Sequence, residues 1–409
     1  MKSNAMKTLA VHYCGWGEDW RLGTLAEASS KLVFEYSPEA LAQQLELSPR
    51  HLKLRSAAYG DFPEYLHRLP GLVADALPDG WGLLLMDKLF RQRNLNIGPL
   101  ERLAFMGDRA MGALRFAPPD DQHLPIADMQ LLTLAQESQQ LLAGEATAAL
   151  LELVVTGGSP QGARPKALVG YDRASGQVST LPNAQGAPWL VKFQAQGEHK
   201  EVCAIEHLYA HMARLCGLDM PDTHYFDLSP KLAGFGIARF DREGELRVPT
   251  HSLAGLLHTD FRMPSVDYTT YLRATRLLTR DEREVQKAFA RAVFNVIFNN
   301  RDDHAKNFAW RLGRDRRWRL APAFDLTFCE GPRGEHQTDI CGEGRKITRQ
   351  HLLTLAQQGG VDAQAAQTII EHIIESAGLF QSIAVDFPIR KSTLQNIARS
   401  IENNRLTAA

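Results

Sequence analysis

Asp302 and Asn307 stand five residues apart in the run Asn299-Asn300-Arg301-Asp302-Asp303-His304-Ala305-Lys306-Asn307. A carboxylate on such a polar loop can accept the proton of an attacking hydroxyl, and an amide oxygen on the same loop can bind a hard divalent cation. Taken alone, the run also fits a polar turn whose side chains satisfy local backbone. The residues downstream narrow the choice. Phe308 to Leu312 and Trp318 to Ala321 alternate apolar and polar residues around Gly313-Arg314-Asp315-Arg316, the pattern of a β-hairpin. The hairpin brings the chain back to Asp325, flanked by the apolar anchors Phe324 and Leu326. Asn307 and Asp325 are thus candidate ligands of one magnesium ion, which prefers hard oxygens.

Two further pieces lie upstream. Thr156-Gly157-Gly158-Ser159-Pro160-Gln161-Gly162-Ala163-Arg164-Pro165-Lys166 is glycine-rich, and glycines let backbone N–H groups approach phosphates closely. An ordinary turn fits that stretch about as well. Lys192 sits inside the apolar run Trp189 to Phe193, where an ammonium needs an anion or a path to water. Glu206 on the following helix is the first candidate partner and Glu201 the second. The order is that of a protein-kinase phosphoryl-transfer site: glycine-rich loop, strand lysine, helix glutamate, Asp-x4-Asn loop, hairpin, aspartate.

The elements that must hold these residues divide the chain. Residues 1–5 read as an expression remnant before a second Met at position 6. Residues 6–150 mix short strands and helices: a strand at Leu32 to Tyr36, a helix from Ser37-Pro38 to about Leu47, and helical spacing over Gly80 to Arg93 and Ala127 to Leu142. The Pro118 to Pro125 stretch suits an exposed turn. Residues 151–247 are β-rich, with strands expected at Leu151 to Thr156, Lys166 to Tyr171, Trp189 to Phe193 and Gly236 to Phe240, and a helix over Glu201 to Cys216. Residues 248–409 are mostly helical. A capping box at Thr279-Arg280-Asp281-Glu282 opens one helix and Asp362 caps another. The expected fold is α+β and bilobed like a protein kinase, with an added N-terminal subdomain, a β-rich nucleotide-binding lobe and a helical catalytic lobe.

Composition agrees with this division. The chain has 409 residues, 44% hydrophobic and 23% charged, and a net charge of −1. These values exclude disordered and collagen-like classes, and near-neutrality leaves any anionic ligand to a local site. No apolar run approaches the roughly 18–20 residues that cross a bilayer, and no signal peptide opens the chain, so a cytoplasmic location is expected. Five scattered cysteines (14, 203, 216, 329, 341) form no metal-ligand spacing and read as free thiols.

Further pieces match a known family. Leu69-Pro70-Gly71, Ala76-Leu77-Pro78-Asp79-Gly80-Trp81-Gly82, Leu103 to Leu114, Gly162 to Lys166, Arg239 to Arg242 and Asp303 to Asn307 occur in one order, and from about 8 to 400 the chain resembles the HipA family of toxin kinases. The resemblance implies an ATP- and magnesium-dependent serine/threonine protein kinase in which Asp302 is the base and Lys192, Asn307 and Asp325 complete the catalytic set. It further implies that Gly158, Ser159, Gln161, Gly162, Ala163, Arg164 and Lys166 wrap the phosphates, aided by Lys192, Glu206, His304, Lys306 and Asn307. Ala238, Arg239 and Phe240 would meet adenine, Asp241 the ribose, and Phe324 and Asp325 would close the site. Ser159 falls on the loop serine that such kinases autophosphorylate. An aminoacyl-tRNA synthetase substrate and a HipB-type helix-turn-helix antitoxin are the implied partners, with DNA reached only through the antitoxin and no membrane.

Two departures stand out. His251-Ser252-Leu253-Ala254-Gly255 lacks the Gln-Glu-Asp triplet common in the family, and Phe324-Asp325-Leu326 lacks the glycine of eukaryotic kinases. Arg311, Arg314, Arg316, Arg317 and Arg319 are placed to contact nucleic-acid phosphates, but they also fall where a hairpin's exposed face and turn carry charge. Rival readings are a small-molecule phosphotransferase, a metal-dependent hydrolase using Asp302, Asp303 and His304, and a catalytically silent antitoxin co-repressor.

Overall fold

Apolar periodicity sets where the elements form, and a computed structural model describes residues 6–28, 31–95, 97–119, 127–158, 160, 162–181 and 186–409. The expected remnant at 1–5, Ser159, Gln161 and most of the 118–125 turn lie outside them. The N-terminal subdomain is built on β1 (Thr8–Tyr13), β2 (Trp20–Ala28), β3 (Lys31–Tyr36) and β4 (Leu114–Ala117), antiparallel in the order β3-β2-β1-β4. Leu9, Val11 and Tyr13 alternate into the core with the period of two that a strand imposes. Ser37 accepts the Ala40 N–H and Pro38 occupies the first turn of α1 (Pro38–Gln43), which stops at left-handed Gln44, short of Leu47. The short α2 (Gly71–Ala74), then α3 (Gly80–Gln92), α4 (Pro99–Met106) and α5 (Leu131–Leu142) complete this part.

One expected strand is a helix. Residues Leu151 to Thr156 lie in α6 (Leu150–Gly157), which buries Leu150, Leu153, Val154 and Gly157, a helical spacing, against α3 and the first strand of the next sheet. Val154 and Val155 suggested a strand, but burial of one face decided the element. The glycine-rich segment therefore runs from a helix into a strand, not between two strands.

The small lobe is a five-stranded antiparallel sheet of β5 (Lys166–Tyr171), β6 (Val178–Ser179), β7 (Ala187–Phe193), β8 (Thr223–Asp227) and β9 (Ala233–Ala238), in the order β6-β5-β7-β9-β8. It packs on α7 (Glu201–Leu215), whose apolar face holds Cys203, Leu208 and Met212. Register places Lys166 opposite Lys192.

The large lobe follows the small β10 (Arg242–Glu243) and β11 (Leu246–Arg247) ribbon. It comprises β12 (Thr250–Ser252), α8 (Leu253–Leu257), α9 (Tyr268–Thr279), α10 (Glu282–Ile297), β13 (Ala309–Leu312), β14 (Trp318–Leu320), α11 (Arg349–Gly359), α12 (Ala363–Gly378), α13 (Phe380–Ala384) and α14 (Lys391–Ala408). Strands β12, β13 and β14 form one antiparallel sheet, so the expected hairpin is present. The cap of α10 differs from expectation. Thr279 still belongs to α9, where its hydroxyl donates to the Thr275 carbonyl, and left-handed Arg280 turns the chain. Asp281 is the cap, accepting the Arg283 N–H at 2.9 Å. Asp362 caps α12 as expected. All five cysteines are free thiols. Among the described residues no helix is long and apolar enough to cross a membrane.

Candidate active site

Strand β7 carries Lys192 into the space between the lobes. Its Nζ lies 2.7 Å from Glu206 Oε2 on α7 and 2.5 Å from Asp325 Oδ1. Burial alone would lower the ammonium's pKa; the carboxylates of Asp325 and Glu206 outweigh it, and the net direction is upward, so Lys192 stays charged. Glu201, the other candidate partner, serves elsewhere: it accepts from the Arg390 backbone and guanidinium and, at 3.0 Å, from the Thr393 hydroxyl at the start of α14. Tyr209 on α7 donates to the Phe298 carbonyl at 2.6 Å, just before the polar loop.

That loop begins where α10 ends, at left-handed Asn299. The Asn307 amide donates to the Asp302 carbonyl at 2.7 Å, closing the loop on itself. The Asp302 carboxylate accepts from Gln337 Nε2 at 2.8 Å. Burial raises its pKa, the neighbouring His304 opposes this, and Asp325 and Asp303 add to the rise. A carboxylate shifted upward is a better proton acceptor at the moment of transfer. Asp303 is different in kind. It is fully buried, accepts from the Tyr268 hydroxyl at 2.7 Å and the Gln337 N–H at 2.8 Å, and lies 2.7 Å from His336 Nδ1. These bonds fasten the loop to residues 336–338 and turn Asp303 away from solvent, which removes it from a hydrolase set with Asp302 and His304. Neither His336 nor Gln337 carries a sequence signal.

Asp325 occupies left-handed φ of +56°, a conformation that persists only when surroundings hold it and that clusters at functional sites. Burial would raise its pKa, yet Lys192 and Lys166 hold it well below the usual carboxylate range. Phe324 beside it lies against Phe240, ring centroids 5.3 Å apart and the planes tilted, and thereby joins the Asp325 segment to the segment that follows β9. Lys166 is buried, and burial, reinforced by Lys192, lowers its pKa to about 8. Arg164 pairs with Glu198 at 2.9 Å and Glu206 at 3.1 Å.

The rest of the expected nucleotide set divides. Gly158, Gly162 and Ala163 lie on the glycine-rich segment; Ser159 and Gln161 fall outside the described residues. Ala238 ends β9, its N–H bonded to the Asp222 carbonyl, and Arg239 donates its own N–H to the Pro188 carbonyl. The Asp241 carboxylate is already engaged by protein groups. It is buried and accepts from Arg239, from Arg242 and, at 2.9 Å, from the Gly112 N–H, tying the small lobe to the N-terminal subdomain. Sequence reasoning missed Asp79. It accepts from the Gly162 N–H and, at 2.8 Å, from Lys306 Nζ, so it touches both the glycine-rich segment and the polar loop. The matching segment Ala76 to Gly82 held it, without assigning it a role.

The donor set suits a magnesium nucleotide. Asn307, Asp302 and Asp325 offer hard oxygens, Lys166, Lys192 and Lys306 offer positive charge, and His304 Nδ1 is buried with no hydrogen-bond partner among the described residues. A second polar array is closed. His251 lies 2.7 Å from Asp75 through Nδ1 and 2.9 Å from Ser48 through Nε2, the order of a hydrolase triad, but Ser48 is fully buried. Ser252 also bonds Asp75, so the residues replacing the absent acidic triplet lock the N-terminal subdomain to the large lobe. In the arginine cluster, Arg314 pairs with Glu243, Arg316 with Glu18, and Arg319 with Asp315, which leaves it largely neutralised.

A five-stranded sheet lobe and a helical lobe that meet at this lysine and its two carboxylates define a protein-kinase-like bilobed α+β fold. The HipA-like C-terminal domain family matches residues 158–378, more than half of the chain, and the HipA N-terminal domain family matches residues 16–117. The chain belongs to the HipA family. Among solved structures it is similar to a chain of the Shewanella oneidensis MR-1 toxin–antitoxin system HipA, HipB and operator DNA complex, with 15% identity, a TM-score of 0.72 and coverage of 98% of this chain and 96% of that one. Helicobacter pylori proinflammatory kinase CtkA matches at 12% identity and a TM-score of 0.41, covering 58% of this chain and 92% of that one. No curated protein matches the chain.

Proposed function

We propose that this chain is an ATP- and magnesium-dependent protein kinase of the HipA type that transfers the γ-phosphoryl group to a serine or threonine of a protein. The observation that carries the reading is Lys192 held between Glu206 and Asp325, with Asp302 on the adjoining loop. Lys192, Lys166 and the glycine-rich segment orient the phosphates, and Asp302 accepts the proton of the acceptor hydroxyl. Asn307 and Asp325 supply the oxygens that would hold magnesium, whose contribution is neutralisation of phosphoryl charge. By family, the reading includes an aminoacyl-tRNA synthetase substrate, autophosphorylation at Ser159, a cytoplasmic location and a HipB-type antitoxin through which DNA is reached. The Shewanella complex, with its HipB and operator DNA, supports the antitoxin part.

The test is incubation with γ-labelled ATP, with and without magnesium, alone and with cell extract. Magnesium-dependent label on Ser159 or on an extract protein is the expected result. Label confined to small molecules would replace this reading with a small-molecule phosphotransferase, and bound ATP without any transfer would leave a silent co-repressor.

Lys166 adds a pH dependence. A lysine with a pKa of about 8 loses its charge as pH rises through that value, so phosphate attraction weakens on the alkaline side. Nucleotide affinity, measured by fluorescence titration from pH 6 to 10, is expected to fall above about pH 8. Lys166→Arg, whose charge persists, should abolish that alkaline fall.

A further inference from the structure

The glycine-rich segment has more contact with the N-terminal subdomain than phosphate binding requires. The start of α3 is built around it. A Cβ at Gly80 would lie 2.7 Å from Ala163 Cα and 2.9 Å from the Gly162 carbonyl, and a Cβ at Gly82 would lie 2.7 Å from the Gly158 carbonyl, so only glycine admits the segment this close. The Trp81 N–H donates to the Gly162 carbonyl at 3.1 Å. Asp79, the residue before the helix, then takes the Gly162 N–H on Oδ1 and Lys306 Nζ on Oδ2. Gly162 is thus held at both its backbone polar groups by the Asp79–Trp81 turn.

This turn joins three regions that ATP must find in register. Gly162 belongs to the phosphate loop, Lys306 to the loop that carries Asp302 and Asn307, and Asp79 to neither lobe of the kinase fold. The side chains of Asp79 and Lys306 are 8% and 11% exposed, so water screens their attraction poorly. Burial would raise the Asp79 pKa, but Lys306 and the Gly162 N–H bring it below the usual carboxylate value, which keeps the bridge ionised at neutral pH.

We infer that Asp79 is a positioning residue for phosphoryl transfer: the N-terminal subdomain clamps the glycine-rich segment in its phosphate-binding conformation and sets Lys306 against it before nucleotide arrives. The inference rests on the kinase reading for its purpose, though the clamp itself exists without nucleotide. Losing it leaves the loop to order itself when ATP binds, which weakens apparent affinity in proportion to the open fraction. The maximal rate, set by groups on other elements, changes little.

Two variants and two readouts test this on the full chain. Without nucleotide, hydrogen exchange at the Gly162 amide is expected to accelerate roughly 10- to 100-fold in Asp79→Ala, the loss that accompanies removal of a charged acceptor. In Asp79→Asn, whose amide oxygen can still accept that N–H, the exchange stays within a few-fold of wild type. In labelled-ATP transfer, Asp79→Ala is expected to raise KM for ATP about tenfold with kcat within about threefold, and Asp79→Asn to recover most of the KM. Exchange and KM within twofold of wild type in Asp79→Ala would overturn the clamp. So would equal damage in both variants, or a fall in kcat as large as the rise in KM. If wild type neither binds nor uses ATP, the kinase reading fails while the exchange experiment still decides whether Asp79 holds the loop.

Discussion

Replacing Asp302 with alanine is expected to lower phosphoryl transfer by about 10²- to 10⁴-fold, the usual worth of a general base, with nucleotide affinity nearly unchanged. The one described side-chain bond of Asp302 is from Gln337. Nothing in the fold depends on it: the loop is closed by the Asp302 carbonyl and fastened by Asp303. The variant should therefore unfold at the temperature of wild type. A variant that retained full transfer would remove Asp302 from the mechanism and return attention to His304.

The second large effect concerns Lys192. Methionine at this position keeps the volume but removes the cation that Glu206 and Asp325 share. Breaking a buried pair from one side costs about 3–5 kcal/mol, and the lower end applies because the Asp325 side chain is 35% exposed. Nucleotide binding is expected to be lost as well. The stability deficit should be greatest at neutral pH. Lys192 is the strongest of the charges that hold the Asp325 carboxylate below its usual range, so the stability it lends wild type is present above the unfolded carboxylate pKa and is lost as pH falls below it, and the deficit narrows in acid. Denaturant unfolding of Lys192→Met and wild type near pH 7 and near pH 3, either side of the unfolded carboxylate pKa, measures this. An equal deficit at both values would mean that Lys192 acts through packing, not charge.

The residues of the candidate site were readable in the sequence because they lie in short runs with fixed spacing. Asp302 and Asn307 share one loop, the hairpin that leads to Asp325 shows its alternation, and Lys192 stands out in an apolar strand. Partner choice was less legible. Glu201 and Glu206 occupy the same helix, and only the position of α14, which brings Arg390 to Glu201, decides between them. What remained hidden depends on contacts between distant segments. Residues Leu151 to Thr156 look like a strand until α3 supplies a surface for one helical face. Asp241 has a charge suited to a sugar until Gly112 and two arginines surround it. Asp79 lies 83 residues before Gly162 and 227 before Lys306, separations across which no local pattern reports contact. Its two neighbouring glycines, which allow the close approach, were the available sign.

The anchoring of α7 has a consequence for control. In kinases that switch by pivoting this helix, the lysine–glutamate pair forms and breaks as the helix rotates about its end. Here Glu201 is pinned to Arg390 and Thr393 at one end, and Tyr209, about two turns on, is pinned to the carbonyl that closes α10. The rotation axis is blocked at two points, both of them in the large lobe. A switch that works by rotating α7 is therefore closed to this fold, and the Lys192–Glu206 pair is a fixed part of the cleft.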